Sequence, residues 1–115
     1  MIEIELPFPP SVNHYYRHVG SRVLISKRGR AFREKVCSIL FALGVKKIEG
    51  FLFIEIEIYP PDNRRRDIDN LLKALLDSLQ HGGLYDDDSQ IHKLKIQKFS
   101  TIKNGKVIIR IGKLR

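Results

Sequence analysis

The chain has 115 residues, 43% of them hydrophobic, and sets 21 lysines and arginines against 13 aspartates and glutamates, a formal net charge of +8. That length fits one domain over residues 1–115 with a modest core, and no apolar run approaches the roughly 20 residues of a membrane span. The positive balance favours nucleic acid over an anionic membrane, and the single cysteine, Cys37, excludes an internal disulfide and fits a reducing cytoplasm.

From the N-terminus, Ile2, Ile4 and Leu6 alternate with Glu3 and Glu5, the period of a half-buried strand and not the pattern of a signal peptide. Pro7, Pro9 and Pro10 stop it and open an irregular segment reaching Tyr16. Arg22, Val23, Leu24 and Ile25 read as a short strand. Ser26 is placed to cap a helix over 27–43, because Phe32, Val36, Ile39, Leu40 and Leu43 repeat at helical spacing, and Gly44 suits the exit.

A strand over 51–59 puts Leu52, Ile54, Ile56 and Ile58 on one face and Glu55 and Glu57 on the other, until Pro60 and Pro61 end it. A second helix over 68–80 carries the stripe Ile68, Leu71, Leu72, Leu75 and Leu79, closed by Gly82-Gly83. A strand over 91–99 leads to Asn104-Gly105, a hairpin signal, and to a last strand over 107–111. The expected fold is α/β (α+β mixed), a four-stranded mixed sheet with two helices crossing over to pack on it. Glu3, Glu5, Glu55 and Glu57 then share the other face with Lys93, Lys95 and Arg110 as solvated cross-strand partners.

All seven aspartates fall between Asp62 and Asp88. Asp67 and Asp69 follow directly on Arg64, Arg65 and Arg66, and Asp86, Asp87 and Asp88 form a second group. Crowded carboxylates repel one another, so a dense cluster implies a bound cation, and hard oxygen donors suit a divalent metal. A basic surface gathers phosphates, and a metal–carboxylate centre cuts or transfers them. Helix capping explains one aspartate but not a pair plus a run of three; a solvated loop tip explains the run alone. Gly82-Gly83 permits the chain to double back, so that one or two of the second group reach the first.

Lys73 lies four residues after Asp69 and four before Asp77. Two readings stand: an exposed ion-pair ladder, or an ammonium beside the scissile phosphate. Arg64, Arg65 and Arg66 border the acids as a phosphate clamp would, and Arg22, Lys27, Arg28, Arg30 and Arg33 extend the positive surface. Asn13, Tyr15, Tyr16, Arg17 and His18 suit phosphate contact or stacking on an opened base; for Tyr15 and Phe8 a loop packed on the domain is the other reading. The four histidines show no zinc spacing, and nothing points to a small-molecule cofactor.

Arg65-Arg66-Asp67-Ile68-Asp69-Asn70-Leu71-Leu72-Lys73-Ala74, then Asp77-Ser78-Leu79, then Asp87-Asp88-Ser89-Gln90-Ile91 closely resemble the RusA family of Holliday-junction resolvases. The opening from Leu6 to His18 resembles that family's N-terminal segment, so the likeness runs in order over nearly the whole chain. It implies a RusA-like homodimeric endonuclease, dependent on Mg²⁺ with Mn²⁺ as a substitute, that nicks four-way DNA junctions symmetrically in recombination and repair. The family's catalytic aspartates map onto Asp67, Asp69 and Asp88 and its essential lysine onto Lys73. Asp87 corresponds to a neighbouring acid of lesser importance in the metal shell, and Asp86 falls where relatives can carry an apolar residue. Two rivals stand: a Mg²⁺ nuclease for another branched, flap or RNA substrate, and a non-catalytic junction-binding module, which leaves the aspartates without a purpose.

Overall fold

Alternation along four segments builds the main sheet of the computed structural model, which describes residues 1–115. The strands are β1 (Ile2–Leu6), β4 (Leu52–Tyr59), β5 (Ile91–Lys98) and β6 (Lys106–Lys113), in the order β1-β6-β4-β5. β1 and β4 run antiparallel to β6, while β4 and β5 are parallel. Ile54, Ile56 and Ile58 stand opposite Ile111, Ile109 and Val107, and Ile4 stands opposite Ile109 from the other side, so one face is a continuous aliphatic layer, fully buried. A parallel pair needs a crossover, and α3 (Leu72–His81) supplies it.

α2 (Lys27–Leu43) and α3 cover this layer with Phe32, Val36 and Leu40 from one and Ala74, Leu75 and Leu79 from the other. The ends of α2 follow the expected chemistry. Ser26 Oγ accepts from the Gly29 N–H at 2.9 Å, and Gly44 leaves in the left-handed region at φ 65°. The second expected helix begins as a 3₁₀ turn over Ile68–Leu71 before α3 proper.

Two expectations change. Asn104 and Gly105 do turn the chain, both at positive φ, but β5 and β6 do not form a hairpin, because β4 lies between them. β4, buried along one whole face, pairs on both edges, and the 99–105 segment passes over its end through Phe99 N–H to Ile58 O and Ile102 N–H to Pro60 O. The stretch after the prolines is also not irregular throughout. It holds α1 (Val12–Tyr15) and a separate two-stranded ribbon, β2 (Tyr16–Val19) with β3 (Arg22–Ile25).

On the open face Arg110 reaches Glu3 and Glu57 at 2.8 Å each and Glu55 at 3.1 Å, as cross-strand partners should. Lys106 pairs with Glu5 and Lys95 with Glu55, whereas Lys93 lies over the Phe53 ring.

Candidate active site and nucleic-acid interface

The proline pair at the end of β4 turns the chain into the arginine run, and Asp62 fixes its course. The Asp62 carboxylate accepts from the Arg64 N–H at 3.0 Å and from Arg66 Nη1 at 2.7 Å. Hydrogen bonds from Arg66 and Arg64 hold that carboxyl below its usual range. The Arg66 guanidinium also lies over the Phe8 ring, and Lys98 Nζ donates to Arg66 O at 2.8 Å. Arg66 is thus committed to shaping the segment, while Arg65 is exposed and forms no ion pair.

Asp67 sits at the N-cap of the 3₁₀ turn, yet its side chain makes no capping bond. Asp69 follows within that turn, and both are exposed. The other acids are spent differently. Asp62, Asp77 and Asp86 form ion pairs with arginine or lysine, and Asp87 caps the short turn Asp88–Gln90 by accepting from the Ser89 N–H. Asp67, Asp69 and Asp88 do neither. They are also the positions onto which the family resemblance maps catalytic aspartates.

These three do not meet within one chain. The Asp88 N–H donates to Gln80 Oε1 at 2.9 Å, which places it beside the last turn of α3, whereas Asp69 precedes the first. At 1.5 Å per residue the two positions lie about 16 Å apart along the helix. The return at Gly82-Gly83 stops there, with the Leu84 N–H bonded to Leu79 O and the Tyr85 hydroxyl donating to Leu76 O at 2.6 Å. No three His, Cys, Asp or Glu side chains gather in a single chain as a metal shell. Asp67 and Asp69 suit a hard divalent ion by donor chemistry, but one chain supplies them as a pair.

Lys73 is exposed and pairs with neither Asp69 nor Asp77, so the ladder does not form and its ammonium is uncommitted. Asp77 instead takes Arg33 Nη2 at 2.7 Å and the Tyr15 hydroxyl as donors. Burial pushes the Asp77 carboxyl up, but these two bonds outweigh it and leave it below the ordinary carboxylate range. Tyr15 is fully buried, which corrects its expected role in binding DNA. It is a core residue that ties α1 to α2 and α3, with Tyr16 packed edge-on against it.

A cavity of about 870 Å³ opens beside Asp67, lined by Arg28 and Lys35 of α2, by Arg64, Arg65 and Arg66, by Asn70 and His14, and by the Pro7–Ser11 loop. Asp67 is the one carboxylate in its wall. Asn13, Arg17 and Arg30 are exposed but lie outside it; Arg30 Nη1 donates to Ile25 O at 3.2 Å. Lys35 escaped the sequence reading although it falls seven residues after Arg28, on the same helix face, a spacing that signals a shared surface.

Comparison with known proteins identifies the family. The profile described as "Endodeoxyribonuclease RusA" matches residues 7–112. A "Crossover junction endodeoxyribonuclease rusA" of Enterobacteria phage HK97 is 40% identical over 113 residues, covering 95% of this chain and 92% of that protein. Proteins of the same name from Enterobacteria phage 82 and Shigella sonnei are each 39% identical over 119 residues, covering 96% of this chain and 93% of theirs.

Proposed function

Since the chain belongs to the RusA family of endodeoxyribonucleases, an enzyme of the Holliday-junction resolvase class, we propose that all of residues 1–115 act as one RusA-like unit that binds a four-way DNA junction as a homodimer and nicks it symmetrically with Mg²⁺. One observation carries the assignment of the site: Asp67, Asp69 and Asp88 are the aspartates that neither pair nor cap. The exposed carboxylates of Asp67 and Asp69, taken by no side chain, are free to ligate a cation, and the basic cavity beside Asp67 gathers the phosphates that such a centre would cut.

Asp67 and Asp69 of one chain, with Asp88 from the second copy, would hold the ion. Bound there, Mg²⁺ supplies an activated water and charge stabilisation on phosphate oxygens. The remaining work belongs to the chain. Arg28, Lys35, Arg64 and Arg65 seat the DNA backbone, and the Asp62–Arg66 pair holds the head of α3 so that the two carboxylates keep their orientation. Lys73, without a partner of its own, places positive charge on the face of α3 that follows Asp69 and offsets the charge developing on the phosphate.

The test is a series of single variants assayed for binding and cutting of a mobile four-way junction. Asp67→Asn, Asp69→Asn and Asp88→Asn should each lower cutting by about 10³-fold or more while binding holds or tightens, since each removes a negative charge near DNA. Lys73→Ala should cost cutting far more than binding. Persistent cutting by all three aspartate variants would refute the site. Duplex, flap and RNA substrates run alongside decide between a junction enzyme and a broader nuclease.

A further inference from the structure

The β2–β3 ribbon stands apart from the four-stranded sheet. It belongs to no larger sheet, and its strands pair only with each other, joined at Gly20-Ser21 with Gly20 at φ 61°. Two apolar residues sit beside that turn, Val19 at 46% and Val23 at 56% exposure. Arg17, His18 and Arg22 flank them and form no ion pair, although the chain's sheet-face glutamates are paired with lysine or arginine.

The root of the ribbon is held firmly. Tyr16 and Ile25, opposite each other, pack against the core. The Ser26 N–H donates to Tyr15 O at 2.9 Å, Ser26 Oγ donates to His14 O at 2.5 Å, and Tyr15 is locked by Asp77 and Arg33. The same α1 lends His14 to the wall of the cavity that contains Asp67. A narrow two-stranded arm thus rises from the rim of the candidate site with a fixed base, one exposed valine on each face beside its turn, Val19 on one and Val23 on the other, and uncompensated positive flanks.

We propose that this ribbon is a wedge for the branch point of junction DNA: Val19 and Val23 press between base pairs there, and Arg17 and Arg22 hold the flanking phosphates. The inference rests on the nuclease reading for its partner and deepens it by naming the element that engages the branch. A base stack admits apolar side chains once unstacked, and the helical ends at a four-way junction are the place where unstacking costs least. The basic flanks complement phosphate, and the exposed valines gain from the cover that stacked bases give.

The experiment uses full-length protein and a four-way junction carrying 2-aminopurine either at the branch or in the middle of one arm, without metal. Wild type should raise the fluorescence several-fold at the branch and leave the arm signal flat. Val19→Ser combined with Val23→Ser should remove most of that rise; both sites are exposed, so an unchanged melting temperature confirms an intact fold. With Mg²⁺ the double variant should cut the paired junction about tenfold more slowly, and the deficit should shrink below about threefold on a junction whose branch is already unpaired. A branch signal absent with wild type, a full signal from the double variant, or equal deficits on both junctions would overturn the wedge. A wild-type protein that unstacks the branch but never cuts would sink the nuclease reading and leave the wedge standing.

Discussion

Asp77 shows what a residue's neighbours in sequence conceal. Lys73 is four positions away on the same helix, which is pairing distance, yet the carboxylate is taken by Arg33, 44 positions back, and by Tyr15. A long-range partner on a packed helix wins because its guanidinium is already held in place, whereas Lys73 would have to order a free chain. With its carboxyl lowered, Asp77 stabilises the fold above about pH 4, and that contribution is lost as the pH falls through the lowered value. Asp77→Asn should therefore cost on the order of 1 kcal/mol at neutral pH, modest because both partners keep about a quarter of their side-chain surface in water. Urea unfolding between pH 3 and 7 checks this: the gap between wild type and variant should close toward pH 3, and a constant gap would deny the ion pair its role. The sequence shows the aspartates as one crowded stretch. It does not say which are free, because pairing and capping depend on Lys47, Arg33 and Ser89 arriving from packed elements and turns.

At the scale of elements, α2, β4 and the sheet's buried face were legible because each repeats a period long enough to recognise, and Ser26 and Gly44 mark α2's ends as capping chemistry requires. α1 was not, since four residues hold barely one helical turn, nor was β2, because Tyr16-Arg17-His18-Val19 shows no alternation of apolar and polar. The Asn104-Gly105 signal gave the turn but not the pairing, which β4's need for two neighbours decides. One residue joins the legible helix to the illegible segment. Gly29 lies in the first turn of α2, where a Cβ would stand 2.3 Å from Tyr15 O and 2.8 Å from Ile25 Cγ1. Propensity alone makes Gly29→Ala a gain of about 1 kcal/mol. The contact reverses the sign: α2 must move off α1 and the root of the ribbon, at a net cost of about 1–3 kcal/mol. A fall in the urea midpoint, with junction cutting reduced further than stability explains, is the expected result; a more stable Gly29→Ala would show that the two segments do not need this close approach.

The net charge of +8 and the family pattern announce a DNA-cutting enzyme at the scale of the whole molecule, but they say nothing of how two copies divide one site. The placement of Asp88 at the far end of α3 makes that division testable. In the proposed dimer each centre takes Asp67 and Asp69 from one chain and Asp88 from the other, so an Asp67→Asn chain paired with an Asp88→Asn chain places both lesions in one centre and leaves the second intact. Centres built within single chains would each carry one lesion and both would fail. Two inactive variants, co-expressed or unfolded and refolded together, should consequently regain activity, with roughly a quarter of all centres intact if chains associate at random. A supercoiled plasmid with an extruded cruciform reads the outcome directly. One working centre per dimer nicks one strand and yields an open circle, whereas two yield the linear form made by wild type. An open circle from the mixture, absent from either variant alone, is the expected product. A mixture that stays inactive, with tagged chains confirming that mixed dimers are present, would return Asp88 to its own chain and require α3 and the turn after it to rearrange on binding DNA.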